Sequence, residues 1–327
     1  MADKSQLPLD HTVNLLRAAG EHTRLRLLAL LSHGDLTVTD LIDILGQSQP
    51  RVSRHLKLLS EAGLLERYQE GAWAFFRAVS DGQNARFVKS LLDHMNADDV
   101  QLQRDLERLH AVRSKRAAAA SQYFSSNASS WDEIRTLHVD ESKVEAAMLK
   151  LIGSAPFQAM LDLGTGTGRL LELFQDNYTK GVGVDGSREM LSIARSNLED
   201  LSKVQVRQGN LLNLPAYENA FDLVTFHQVL HYLDDPKAAI AEAVKTLAPG
   251  GRLMIVDFAP HGLDFLRDKH AHIRLGFASD QISKWLSDCG LEVREVQKLE
   301  PKGKLSEKEE SLIVTLWLAQ DTRTQIA

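Results

Sequence analysis

The sequence is poor in cysteine: Cys289 is the only one in 327 residues. One thiol permits no intramolecular disulfide and no four-cysteine metal centre, and it gives no sign of an oxidising compartment. Long apolar runs are also missing. The densest, Leu25 to Leu31, is interrupted by Arg26 and preceded by Arg24, and no stretch approaches the roughly 20 apolar residues of a membrane span. The amino-terminal MADKSQLPLDH lacks the charged, apolar and small-residue order of an export signal, so a cytoplasmic location is expected. Proline is scarce, with 8 residues, and no low-complexity tract occurs beyond Ala117–Ala120. With 43% apolar and 25% charged residues, the composition is that of folded globular protein. The length is about twice a single ~100–200-residue domain and predicts two folding units.

The net charge of −6 hides an uneven distribution. Residues 1–120 hold 16 basic and 15 acidic side chains, so the acidity belongs to the remainder. Leucine-rich helical periodicity runs to about Arg116, and the polar SQYFSSNASS that follows the alanines marks the expected boundary. We divide the chain into 1–118, a helical linker or lid over 119–158, and 159–327. From Met160 onward, Val/Ile/Leu-rich runs alternate with amphipathic stretches, the pattern of a parallel sheet covered on both faces. The fold class expected is therefore mainly α, with a winged helix-turn-helix, in the first part, and an α/β doubly wound sheet in the second.

In the first part, Thr37 stands where it can cap a short helix and Gly46 where it can end it. A tight turn leads to a second helix with Ser48 at its cap, Pro50 in its first turn and Gly63 past its end. Val52, Leu56 and Leu59 form the apolar face, so Gln49, Arg51, Ser53, Arg54 and Lys57 point outward. Three basic residues and no acid lie between Pro50 and Ser60. Such side chains supply donors to base edges and phosphates in a major groove. Leu64–Tyr68 and Trp73–Val79 around Glu70-Gly71 form a hairpin of wing size. The plainer alternative is a structural helix pair with a solvated basic face.

The segments His22-Thr23-Arg24-Leu25-Arg26-Leu27-Leu28 and Gln47–Leu64 resemble the ArsR-type winged-helix repressors over about residues 10–80. The resemblance implies double-stranded DNA as a partner, with Ser48, Gln49, Arg51, Ser53, Arg54, His55 and Lys57 as contacts. It also implies a homodimer, paired through the first helix and a long helix after the wing, here Gln83 to Arg116 with an apolar seam of Leu102, Leu106 and Leu109. That seam could equally pack on the second part. Many members of the family sense metals through Cys-x-Cys in the first helix of the motif; Thr37 and Thr39 fall there, so no metal site is expected. His94, Asp98 and Asp99 read as a surface cluster.

In the second part, Met160-Leu-Asp162-Leu-Gly164-Thr-Gly166-Thr-Gly168-Arg169 sets a glycine-rich turn between a strand and a helix. Arg169 replaces the third glycine of a dinucleotide motif, which disfavours phosphate binding. Asp185 ends the second strand, where two acceptor oxygens can take both hydroxyls of a ribose. A third strand runs from Val204 towards Asn210, a fourth from Phe221 to Gln228, and Pro249-Gly250-Gly251 turns into a fifth ending at Asp257.

Together these motifs resemble the class I S-adenosylmethionine-dependent methyltransferases across about 140–320. By that resemblance Gly164, Gly166 and Gly168 pass the methionine part of the cofactor, Asp162 orders its amino end and Asp185 holds the ribose. Asn210 and Leu211 flank adenine, and His227 lines the transfer site as the candidate catalytic residue; Thr165, Gly186 and Met190 complete the expected contacts. Asn210 departs from the usual Asp. Five histidines, His227, His231, His261, His270 and His272, follow the fourth and fifth strands and include candidates for a general base. Tyr123 and Trp131 precede the fold where a lid often forms.

Two functions compete. One is a regulator whose second domain binds S-adenosylhomocysteine or S-adenosylmethionine as a small-molecule effector, the build of known methionine-cycle regulators. The other is a working small-molecule methyltransferase with an autoregulatory DNA-binding domain. A third reading, nucleic-acid binding over a decayed scaffold, fits the intact glycine loop and Asp185 least.

Overall fold

The computed structural model describes residues 7–70, 73–131, 140–214, 217, 219–300 and 312–323. It separates into two compact units, Met1–Ala118 and Ala119–Ala327.

The first unit opens with α1 (Leu9–Ala19) and α2 (His22–Leu31), followed by β1 (Leu36–Thr37), α3 (Val38–Leu45) and α4 (Gln49–Glu61). Thr37 and Asp40 close a reciprocal capping box at the start of α3, each accepting from the other's backbone N–H at 3.2 and 2.8 Å. Gly46 ends α3 with φ +65°, a left-handed conformation that most side chains resist. Val52, Leu56 and Leu59 are buried, as the spacing requires, within a core that includes Leu27, Leu28, Leu41 and Ile44. The wing is an antiparallel pair, β2 (Leu65–Glu70) and β3 (Trp73–Ala78), and β1 joins β3 to complete a three-stranded sheet.

After the wing the structure departs from the expected single helix. Gln83 to Arg116 is divided between α5 (Gly82–Asp93) and α6 (Val100–Asn127). The break has a local cause. Asn96 accepts from the Asp98 N–H, and Asp99 from the N–H groups of Gln101 and Leu102, so short polar side chains take over the donors that a continuous helix would use. The expected seam is also largely used within the unit: Leu109 is buried in its core, and Leu102 and Leu106 face Ala29 and Leu30 of α2. The SQYFSS stretch, in the expected helical linker, continues α6 to Asn127.

In the second unit α7 (Glu141–Ile152) precedes an alternation of β4 (Phe157–Leu163), α8 (Arg169–Leu173), β5 (Tyr178–Asp185), α9 (Arg188–Asn197), β6 (Val204–Gln208), β7 (Phe221–His227), α10 (Pro236–Thr246) and β8 (Leu247–Phe258). Then come α11 (Phe265–His270), α12 (Ser279–Asp288), β9 (Leu291–Leu299) and β10 (Val314–Asp321). The seven-stranded sheet has the order β6-β5-β4-β7-β8-β10-β9. Pairing is parallel from β6 through β8 and antiparallel where β10 lies between β8 and β9. β4, β7 and β8 are buried almost throughout, consistent with helices on both faces. The order reverses between β4 and β7, so a crevice opens at their carboxyl ends, where Leu163, Asp185 and His227 lie.

Candidate functional site

The glycine-rich turn after β4 is held by β5. The N–H groups of Gly164 and Thr165 both reach the Val184 carbonyl, at 2.8 and 3.1 Å. Gly164 has φ +74°, and a Cβ there would lie 2.4 Å from Val229, so glycine is required both by conformation and by space. Asp162, just before the turn, is buried and accepts from the Thr225 hydroxyl at 2.6 Å; burial pushes its carboxyl up, opposed by that hydrogen bond.

Asp185 is half-buried at the end of β5. Its Oδ2 accepts from Gly166 N–H at 2.9 Å and its Oδ1 from Ser187 N–H at 2.8 Å. Burial raises its carboxyl above the usual range, and these backbone donors pull it back. A carboxylate offers about four lone-pair sites, so each oxygen keeps one for a hydroxyl donor. The chemistry of this acceptor set fits the two hydroxyl donors of a ribose. Gly186 is exposed next to it, and Gly168 leads into α8, its N–H donating to the Thr165 carbonyl at 2.8 Å. A side chain on Gly166 would meet the Trp131 indole nitrogen at 3.6 Å, which puts Trp131 over the loop.

His227 ends β7 with its ring 3.0 Å from a Glu141 carboxylate oxygen, both side chains buried. Sequence reasoning missed Glu141: an acid in the first turn of a helix is ordinary and carries no signal of a partner 86 positions away. Gln228, next to His227, takes φ +53°, an uncommon conformation for a non-glycine residue and one found at functional strand ends.

The remaining residues around the crevice are placed by α9, by the segment after β6 and by β7. Met190, on the buried face of α9, is packed in the interior, with its N–H donating to the Ser187 hydroxyl. Leu211 is buried in the main core, whereas Asn210 is exposed and its carboxamide oxygen accepts from Leu212 N–H at 2.9 Å. Asp222 lies at the opposite, amino end of β7, where it accepts from the N–H groups of Gln158 and Ala159; it fastens β4 and touches no part of the crevice. Arg169 forks onto Glu145 at 2.7 Å through two nitrogens and onto Glu172 at 2.8 Å, so the residue that replaces a dinucleotide-motif glycine is occupied structurally.

In the first unit, Gln49, Arg51, Ser53, Arg54 and Lys57 are exposed on α4. Ser48 sits at the cap position, but its side chain makes no capping bond and remains exposed. His55 differs from the expectation: it turns inward to lie 3.6 Å from Glu21, the cap of α2. Burial pushes its imidazole down, against the pull of Glu21. It therefore joins α4 to α2 instead of extending the exposed face. Among the described residues no group of three or more His, Cys, Asp or Glu side chains is arranged to hold a metal ion.

Comparison with known proteins agrees with this division. Residues 21–67 match the model of the bacterial regulatory protein arsR family, and residues 161–255 match a methyltransferase domain. The chain thus joins an ArsR-type helix-turn-helix domain to a domain with the class I methyltransferase fold. Over 108 residues it is 32% identical to a demethylmenaquinone methyltransferase of Renibacterium salmoninarum, covering 33% of this chain and 44% of that one. Over 127 residues it is 33% identical to an uncharacterized 37.1 kDa protein in transposon TN4556 of Streptomyces fradiae, covering 38% and 36%. The chain thus spans less than half the length of either relative. The N-methyltransferase NodS of Bradyrhizobium japonicum, solved with S-adenosyl-L-homocysteine, shares the fold at TM-score 0.51 and 20% identity, covering 62% of this chain and 98% of NodS.

Proposed function

We propose that the protein is a DNA-binding transcriptional regulator whose second unit takes S-adenosylhomocysteine or S-adenosylmethionine as effector. The observation that carries this reading is one chain holding both an exposed reading helix with no acid from Gln49 to Ser60 and a ribose-competent Asp185 beside a glycine turn. Gln49, Arg51, Ser53, Arg54 and Lys57 face the DNA, with Ser48 at the helix start. Asp185 holds the ribose, the turn from Gly164 to Gly168 passes the amino-acid tail, Asp162 orders that turn and Leu211 borders the adenine.

Two copies act together. Leu9 and Leu16, seven positions apart on α1, are 78% and 51% exposed, an apolar stripe suited to pairing across a twofold axis. The effector alters DNA affinity only if it binds the DNA-competent and DNA-incompetent dimers unequally, and DNA then alters effector affinity by the same factor. No helix of the described residues is long and apolar enough to cross a membrane, in keeping with a protein that works on DNA.

The test is fluorescence anisotropy of labelled DNA from the gene's own upstream region, titrated with protein alone and with each ligand. A change in affinity with S-adenosylhomocysteine supports the reading; affinities identical in all three titrations, with both ligands shown to bind, overturn it.

A second reading, methyl transfer to a small acceptor, is favoured by one observation. His231 and Asp257 form a buried pair at 2.7 Å near the carboxyl ends of β7 and β8, suited to hold a proton. The cofactor would supply an electrophilic methyl group on a good leaving group, so the chain's own task would be to orient the acceptor and take its proton.

A further inference from the structure

Three imidazoles lie together beyond the end of β8, and none belongs to the cofactor contacts. The rings of His231 and His272 are 4.2 Å apart between centroids, and Phe258 packs against His231, His261 and His272 at 5.0, 6.0 and 5.9 Å. His231 Nε2, His261 Nε2 and His272 Nδ1 are all buried without a hydrogen-bond partner among the described residues. Leaving three such atoms unpaired in one place is costly, at roughly 1–3 kcal/mol each. A site built to receive a polar ligand has this form.

The bonds that do exist define the proton on two of the rings. His231 Nδ1 lies 2.7 Å from Asp257 Oδ1, a carboxylate that can only accept, so the proton is on Nδ1 and Nε2 carries a lone pair. His261 Nδ1 accepts from the Leu263 N–H at 3.3 Å, so its Nε2 carries the hydrogen. Burial, aided by the neighbouring His231 and by Arg267, holds the His261 imidazole down to about 4. The same causes, burial first, push His272 far down, so both rings are neutral near pH 7. Beside His272 Nδ1, therefore, His231 presents an acceptor lone pair and His261 an N–H donor. Tyr232 lies beside it, with its hydroxyl 3.4 Å from His272 Nε2, and His261 is only half-buried, which gives the cluster a side open to solvent. Arg267 supplies a positive charge within electrostatic reach of His261 and His272, while Asp264 and His270 are the other charged or titratable neighbours.

We infer that His231, His261 and His272, with Asp257 behind them, form a ligand subsite for a small molecule bearing one weakly acidic hydroxyl, of the enol or phenol class. The hydroxyl O–H bond breaks, its electron pair stays on oxygen, and the proton forms a new N–H bond at His231 Nε2. The resulting imidazolium is held by the Asp257 carboxylate, and the oxyanion accepts from His261 Nε2–H in the field of Arg267. His231 touches the ligand, whereas Asp257 acts through it as a positioning residue. This names an acceptor class for the methyl-transfer reading above, and it rests on that reading only for the later fate of the oxyanion.

The experiment uses the full-length protein and 4-nitrophenol, whose anion is read by absorbance. Bound dye is expected to show a larger anion fraction than free dye at the same pH. His231→Gln and Asp257→Asn should remove that spectral shift, and His261→Gln, at the open side, should weaken dye binding about tenfold. If His231→Gln fails to fold by circular dichroism, His261→Gln carries the test. No dye binding, an unshifted spectrum on binding, or wild-type behaviour in the histidine variants would overturn the proposal. Calorimetry with S-adenosylhomocysteine separates the two ideas: its failure to bind would sink the cofactor reading and leave the dye result standing.

Discussion

Replacing Asp185 with alanine should disable the second unit's ligand site and leave the first unit's DNA affinity in the ligand-free protein unchanged. In the structure each carboxylate oxygen already accepts one backbone N–H, from Gly166 and Ser187, and a ribose would add two hydroxyl donors. Hydrogen bonds to a charged group contribute about 1.5–3 kcal/mol each, and partial exposure of Asp185 favours the lower end. The loss is therefore about 3–4 kcal/mol, or roughly 150- to 1,000-fold in Kd for S-adenosylhomocysteine by calorimetry. Asp185→Asn should fall in between, because one amide oxygen can satisfy Gly166 or Ser187 but not both. pH gives an independent check. Burial raises the Asp185 carboxyl, so the ligand-binding anionic form is lost on acidification at a higher pH than for an ordinary carboxylate with its value of 3.8. In the ligand-free protein the sign reverses: the folded state binds the extra proton in that window, so Asp185 costs stability as pH rises through it. If Asp185→Ala bound S-adenosylhomocysteine within about threefold of wild type, the assignment of a ribose to this carboxylate would be wrong.

Other substitutions divide along the same lines. Arg54→Ala should weaken DNA binding by roughly 1–3 kcal/mol if it reads a base, whereas His55→Ala should lower thermal stability more than DNA affinity, because His55 faces Glu21; anisotropy and a melting curve on each variant check both. Asp105→Ala removes both bonds of the Arg26 guanidinium, at 2.6 and 2.8 Å, and should cost about 2–4 kcal/mol in denaturant unfolding, with Arg26's partial exposure reducing the cost of a fully buried orphan charge. Gly164→Ala forces a Cβ onto Val229 at φ +74° and should destabilise by about 2–3 kcal/mol, partly recovered by Val229→Ala in a double-mutant cycle. Because His261 and His272 are held neutral in the fold but ordinary in the unfolded chain, stability should fall as pH drops from 6.5 towards 4; a melting temperature flat across that range would contradict the cluster's burial.

What could be read from the sequence was whatever rests on neighbours along the chain. Thr37 and Asp40 meet across three positions, Val52, Leu56 and Leu59 share a helix face, and the strand ends at Asp185 and His227 follow from short apolar runs. The break between α5 and α6 was written locally too, in Asn96, Asp98 and Asp99, but leucine periodicity on either side obscured it. His55 was misplaced because helical spacing alone does not reveal that Glu21 waits on another helix. The pairs His227–Glu141 and His231–Asp257 are separated by 86 and 26 positions, and only the parallel sheet brings such ends together. The antiparallel insertion of β10 between β8 and β9 is likewise a matter of topology, with no local signature.

The bonds made by α6 within the first unit have a mechanical meaning. Arg108 donates to the Ile44 carbonyl at the end of α3, Arg113 to the His33 carbonyl after α2, and Arg116 to the Asp40 carboxylate inside the capping box of α3. From Arg108 to Arg116 the helix advances about 12 Å, enough to grip both ends of α3 from one rod. A twist or slide of that rod would load all three anchors together, and α3 is packed on the reading helix α4 through a shared core. The arginine row thus ties one stretch of α6 to both ends of α3, so a displacement along α6 would be carried to α3 and to α4 packed on it.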